Sequence, residues 1–139
     1  MTRNATCLLL ALGCATPAAA ETWQGTLRCD IIPNVLTRPL VQPFRLDVAG
    51  GVARCQRDVR IPDTSVPSGY QETGQGPVGP GGRLTLKGSG LSNASGYDSE
   101  YSGILPPSGA TTLTGFQHWH FDRRPPFDRP CTITLGRLN

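Results

Sequence analysis

The sequence predicts an all-β domain, an eight-stranded antiparallel up-and-down β-barrel, with a β-sandwich as the alternative. Three observations lead there. Short segments with a two-residue apolar rhythm follow one another at regular spacing, and every connection is short enough to join neighbours. Gly25, Gly74, Gly88, Gly103 and Gly115 fall inside those segments, where glycine weakens a ladder but permits the sharp coiling a small closed sheet needs. Cys29 ends the first segment and Cys131 opens the last, each in phase with its apolar neighbours. A meander brings its first and last strands together only by closing, so these two cysteines are expected to form a disulfide and Cys55 to remain a buried free thiol.

The first strand is Thr22 to Cys29, in which Trp23, Gly25, Leu27 and Cys29 alternate with Thr22, Gln24, Thr26 and Arg28. Asp30 to Leu40, with Pro33, Asn34 and Pro39, is a connection. Val41 to Val48 follows with Phe44, Leu46 and Val48 inward, and Pro43 belongs at its start or on a local edge. Ala49-Gly50-Gly51 is a hairpin turn, because tight turns need the positive φ that glycine supplies. Val52 to Val59 returns with Ala53, Cys55 and Val59 inward; Arg57 shares that face, which implies a bulge or a rim position. Arg60 to Ser68 is a loop, Tyr70 to Val78 a strand weakened by Gly74, Gly76 and Pro77, and Gly79 to Gly82 a turn. In Arg83 to Gly90 the inward positions are Leu84, Leu86 and Gly88. Leu91 to Gly96 is a Ser/Asn loop, and Tyr97 to Ile104 sets Tyr97, Ser99, Tyr101 and Gly103 on one face. After Leu105 to Ala110, Thr111 to Phe121 has the longest clean rhythm, with Leu113, Gly115, Gln117, Trp119 and Phe121 on one face and His118 and His120 on the other. Asp122 to Pro130 is a proline-stiffened loop, and Cys131 to Leu138 closes the chain with Ile133 and Leu135 inward.

Residues 1–20 read as a signal peptide: Arg3, an apolar run from Cys7 to Leu12, and Ala18-Ala19-Ala20 in an Ala-x-Ala cleavage pattern. The apolar run is too short for a bilayer anchor. Leu12-Gly13-Cys14 is partly similar to a lipobox, with Ala11 where leucine is usual, so a membrane is a partner only if the chain is lipidated at Cys14. Residues 21–139 are then a single β-barrel domain. The 13 basic and 10 acidic side chains, with Arg3 in the leader, leave that domain near balance and give no support to nucleic acid as a partner. Lys87 is the only lysine, and the bias to arginine, alanine, glycine and proline suggests a GC-rich genome. The expected address is periplasmic or secreted, with a lipoprotein as the alternative.

Four inward polar or aromatic residues are the candidate ligand contacts: Trp23, Tyr101, Gln117 and Trp119. A buried amide needs hydrogen-bond partners, so Gln117 either anchors a ligand or bonds to Ser99, Tyr97 or Tyr101. His118 and His120, at i and i+2 on one strand face, have the spacing with which two imidazoles reach one zinc or copper ion, with Asp98 or Glu100 as a further ligand; no other cofactor is implied. The bland reading is two solvent-facing histidines. Gly74 to Gly79 has the glycine pattern of a dinucleotide loop, but no helix follows and Pro77 removes a donor. Arg123, Arg124 and Arg129 lie with Asp122 and Asp128 in what reads as a solvated loop. No nucleophile stands beside a base, so an enzyme is not favoured.

Trp-x-Gly-x-Leu-x-Cys (Trp23 to Cys29), Leu-x-Gly-x-Gln-x-Trp (Leu113 to Trp119) and Cys-x-Ile-x-Leu (Cys131 to Leu135) resemble small exported alphaproteobacterial proteins of unknown function. The architecture is similar to the avidin and lipocalin class of barrels, but the motif sets of those families are missing, so neither biotin nor lipid binding carries over. The expected function is therefore non-catalytic binding of a small apolar or aromatic molecule. The alternative is an envelope interaction or inhibitor protein that meets another periplasmic protein through the proline-rich loops 60–68 and 122–130, whose stiffness lowers the ordering cost of binding.

Overall fold

A computed structural model describes residues 19–60, 67–91 and 95–139. The body of the expected signal peptide with Cys14, residues 61–66 of the expected loop 60–68, and residues 92–94 lie outside the described residues.

The strands are β1 (Glu21–Cys29), β2 (Leu40–Ala49), β3 (Val52–Arg60), β4 (Pro67–Pro77), β5 (Arg83–Leu91), β6 (Ser95–Ile104), β7 (Ala110–Phe121) and β8 (Arg124–Arg137). They close in sequence order into one antiparallel up-and-down barrel. The sheet closes because β1 ladders onto β8 as well as β2, with Cys29 directly opposite Cys131. The expected disulfide joins that pair, with the Cα atoms 4.1 Å apart. Cys55 is buried and free.

Alternation builds the interior, since successive side chains of a strand point to opposite faces. In β2, Leu40, Gln42, Phe44 and Leu46 are buried while Val41, Pro43, Arg45 and Asp47 are exposed. The Gly50-Gly51 turn between β2 and β3 has φ of 58° and 74°, the two positive angles that a two-residue hairpin of this kind requires. Beyond this turn the two strands separate. Among the described residues their ladder runs only from Ala49/Val52 to Asp47/Arg54, whereas β3 ladders onto β4 from Val52 to Arg60. Pro43 sits in the length of β2 that ladders to β1 and not to β3, the local edge expected for a residue with no N–H to give.

The two ends of the barrel differ. At the lower end, carrying the turns near 50, 80 and 107, the core is apolar: Trp23, Leu46, Leu84, Leu105, Leu113 and Leu135 pack together. At the upper end, a separate cluster joins Ile32, Tyr97 and Trp119, with Leu36, Phe121 and Phe127 against it.

One expected boundary is wrong. The segment 122–130 is not a loop: β8 begins at Arg124 and ladders onto β7 from Phe121/Arg124 downward. Pro125, Pro126 and Pro130 are tolerated because β8 gains its second neighbour, β1, only from Cys131 onward. One of the two loops expected to meet a partner protein is therefore barrel wall. Arg129, expected in a solvated loop, points inward and is 1% exposed.

Candidate functional site: a polar tier inside the upper half of the barrel

Between the apolar core and the upper aromatic cluster lies a ring of polar side chains. Gln42 comes from β2, Arg57 from β3, Glu72 from β4, Tyr97, Ser99 and Tyr101 from β6, Gln117 from β7 and Arg129 from β8. Strand β5 contributes only glycine at this level, and the reason is steric. A Cβ on Gly90 would lie 2.5 Å from the Tyr97 ring, and one on Gly88 would lie 2.9 Å from Ser99 Oγ. The bare backbone of β5 lets the side chains of β6 lean across it to reach Glu72 on β4.

Glu72 is fully buried and is the hub. Its Oε2 accepts from Arg57 Nε at 2.8 Å and Tyr97 Oη at 2.9 Å, with Arg57 Nη2 at 2.6 Å. Its Oε1 accepts from Ser99 Oγ at 2.9 Å and Tyr101 Oη at 3.2 Å. Arg57 Nη1 donates to Gln42 Oε1 at 2.5 Å, which ties β3 to β2 where their backbones have parted. A second chain runs down from the aromatic cluster: Trp119 Nε1 donates to Gln117 Oε1 at 3.2 Å, and Gln117 Nε2 donates to Tyr101 Oη at 3.3 Å. The donors thus run in one sense from Trp119 to the carboxylate.

The electrostatics follow from burial. Removal from water is the largest single effect on Arg57 and works against its charge, but Glu72 together with Tyr97 and Tyr101 outweighs it and holds the guanidinium above its ordinary value. Burial, then the Glu72 charge, push the Tyr97 and Tyr101 phenols far up, so both stay neutral donors. The same causes, in the same order, push the Cys55 thiol up to about 12, which makes it an inert side chain and not a thiolate.

Arg129 is the exception to this order. Its Nε donates to the Asp30 carbonyl at 2.5 Å, but its Nη2 is buried with no partner among the described residues. Burial, with the Arg57 charge adding to it after partial relief from the tyrosines, brings its pKa down to about 10. A buried donor left unsatisfied costs about 1–3 kcal/mol, more where the group is charged. Both oxygens of Glu72 are already taken, so among the described residues the tier holds two guanidinium groups against one fully engaged carboxylate.

The expected ligand contacts divide. Tyr101, Gln117 and Trp119 come together in the tier, with Gln117 bonded to Tyr101 as one of the expected partners. Trp23 does not join them; it is fully buried in the lower core. His118 and His120 point outward on β7 with ring centroids 4.7 Å apart, but each has its own carboxylate. His118 Nδ1 contacts Asp128, and His120 Nε2 lies 3.4 Å from Asp98 Oδ2. Among the described residues no group of three or more His, Cys, Asp and Glu side chains could hold a metal ion. Sequence reasoning missed Glu72 and Arg129; it set Arg57 on the inward face of β3, where it lies, but took it for the mark of a bulge or rim position and not for the partner of Glu72. The available signal was Gly88-x-Gly90, two inward glycines that leave a strand without side chains opposite Tyr97 and Ser99.

Fold and site together define a small closed β-barrel with a charged interior tier beneath an aromatic mouth, an architecture compatible with a binding protein. No protein-family model matches the chain, and no curated protein matches it.

Proposed function

We propose that this protein is an exported, non-catalytic binding protein that holds a small molecule with an apolar or aromatic body at the upper end of its barrel. The observation that carries the proposal is the aromatic cluster there, set apart from the main core by the polar tier. Tyr97 and Trp119 have ring centroids 4.7 Å apart, and Trp119 stacks on Phe121 at 5.7 Å with 13° between planes. Apolar walls with a few placed polar groups are the usual makeup of small-molecule sites. The Cys29–Cys131 disulfide is compatible with the oxidising compartment that export supplies.

The two tryptophans make the test direct, since Trp23 lies in the lower core and Trp119 in the upper cluster. In Trp23→Phe the remaining indole, at 119, should change in emission on titration with benzyl alcohol, phenylacetamide or phenylacetate. Trp119→Phe, which keeps only Trp23, should stay silent. Unchanged emission and unchanged melting temperature with all three compounds would sink the proposal.

A further inference from the structure

We infer that the ligand carries a carboxylate, and that Arg129 receives it: the site is built for a small aromatic or apolar monocarboxylic acid. The inference rests on the binding-protein reading above and names the chemical class it takes.

Three observations converge. Arg129 is 1% exposed and its Nη2 has no partner among the described residues. The neighbouring carboxylate does not serve it, because Glu72 is occupied by Arg57, Tyr97, Ser99 and Tyr101. The tier therefore carries one positive charge in excess among the described residues, and a monoanion balances it where a dianion overshoots. The third observation is placement. Arg129 lies opposite Gln117 in the β7–β8 ladder, and the next inward pair toward the mouth is Trp119 opposite Phe127. An acid whose carboxylate meets Arg129 thus has its body among Tyr97, Trp119 and Phe127. A guanidinium is planar and presents paired N–H donors that match a carboxylate, and here Nε is held by the Asp30 carbonyl, which fixes the plane before a ligand arrives. Gln117, bonded to both Trp119 and Tyr101, fixes the floor beside it.

The test is calorimetric titration of the whole mature protein with phenylacetate, its neutral isostere phenylacetamide, acetate and inorganic phosphate. Phenylacetate should bind about tenfold or more tighter than phenylacetamide, the order expected for a hydrogen bond to a buried charge. In Arg129→Gln that preference should shrink to about twofold or less. Acid and amide binding alike would overturn the carboxylate while leaving the aromatic site standing. Acetate binding as tightly as phenylacetate, and lost in Arg129→Gln, would keep the anion site and remove the aromatic body. Phosphate bound more tightly than acetate would overturn the monoanion assignment, and no binding by any of the four would overturn both readings. The comparison of acid with amide is made on the unaltered protein, so it decides the matter even if Arg129→Gln does not fold.

Discussion

Replacing Glu72 by glutamine tests the polar tier at its hub. The carboxylate takes Arg57 at 2.8 and 2.6 Å, Tyr97 and Ser99 at 2.9 Å, and Tyr101 at 3.2 Å, with no exposure to water. Glutamine keeps the shape and one acceptor oxygen, but it turns an NH2 group toward donors and leaves Arg57 without its counter-charge. Adding up the individual hydrogen bonds would overstate the loss, because the groups share one acceptor and are not additive. The better measure is the cost of breaking a buried ion pair by removing one partner, about 3–5 kcal/mol. A domain of this size has roughly 5–15 kcal/mol in total, so the variant should be marginal. At roughly 4 °C per kcal/mol, the melting temperature should fall by on the order of 12–20 °C. Urea unfolding at neutral pH with the disulfide intact measures the change. The double variant Arg57→Met/Glu72→Gln removes both charges and should recover at least about 1 kcal/mol relative to the sum of the single losses. A Glu72→Gln protein within about 1 kcal/mol of the parent, or a strictly additive double variant, would refute the hub assignment.

Gly115→Ala should cost about 3 kcal/mol or more in urea unfolding, since its Cβ would lie 1.8 Å from the Glu100 carbonyl oxygen, a backbone atom that cannot step aside. Gly136→Ala, whose nearest atom would be Gln24 O at 4.0 Å, is the control and should change stability by no more than about 0.5 kcal/mol. Reducing the Cys29–Cys131 bridge, which spans 102 residues, should lower stability by up to about 4–5 kcal/mol, read as a shift in the urea midpoint with and without a phosphine reductant. The native Cys55 thiol titrates near 12 against 9.0 in the open chain, so above pH 9.0 only the unfolded state releases that proton. Stability should therefore fall as pH rises above that value, by at most about 1.4 kcal/mol per pH unit from this group. Cys55→Ala should remove that part of the slope, and alkylation by iodoacetamide at pH 8 should require unfolding.

The lower half of the barrel was legible because its chemistry is apolar. Trp23, Leu27, Leu46, Leu84, Leu86, Leu113, Ile133 and Leu135 alternate with polar residues, and alternation is what a half-buried strand writes into a sequence. The cysteine pairing was legible for a related reason, since closure of a meander leaves the first and last strands as neighbours. The upper half was not. Among the described side chains of β4 the inward positions are Glu72, Gly74 and Gly76, none of them hydrophobic, so apolar rhythm has little to detect there. Arg129 was hidden by the prolines around it. Proline argues against a strand that is laddered on both sides, and the upper length of β8 is laddered to β7 while β1 joins only at Cys131. Tyr101, Gln117 and Trp119 were found because they stand in phase with apolar neighbours; Glu72 was not, because Gly74 and Gly76 beside it on that face carry no apolar side chain, and Arg57, though in phase with Ala53, Cys55 and Val59, breaks their apolar rhythm with a charge.

The parting of β2 from β3 bears on how a barrel with the binding role proposed above would open. The circumference of a closed sheet is normally fixed by main-chain hydrogen bonds around its whole rim. Here the upper rim carries a covalent staple on one side of β1, and one strand further on it has a stretch where Arg57 and Gln42 reach across in place of a ladder. Widening the rim along that line exchanges side-chain bonds with water and leaves the Gly50-Gly51 turn as the pivot. On the binding role proposed above, the residence time of a guest would be tied to the same arginine that holds Glu72 in place, one side chain organising the floor of the site and bridging its wall.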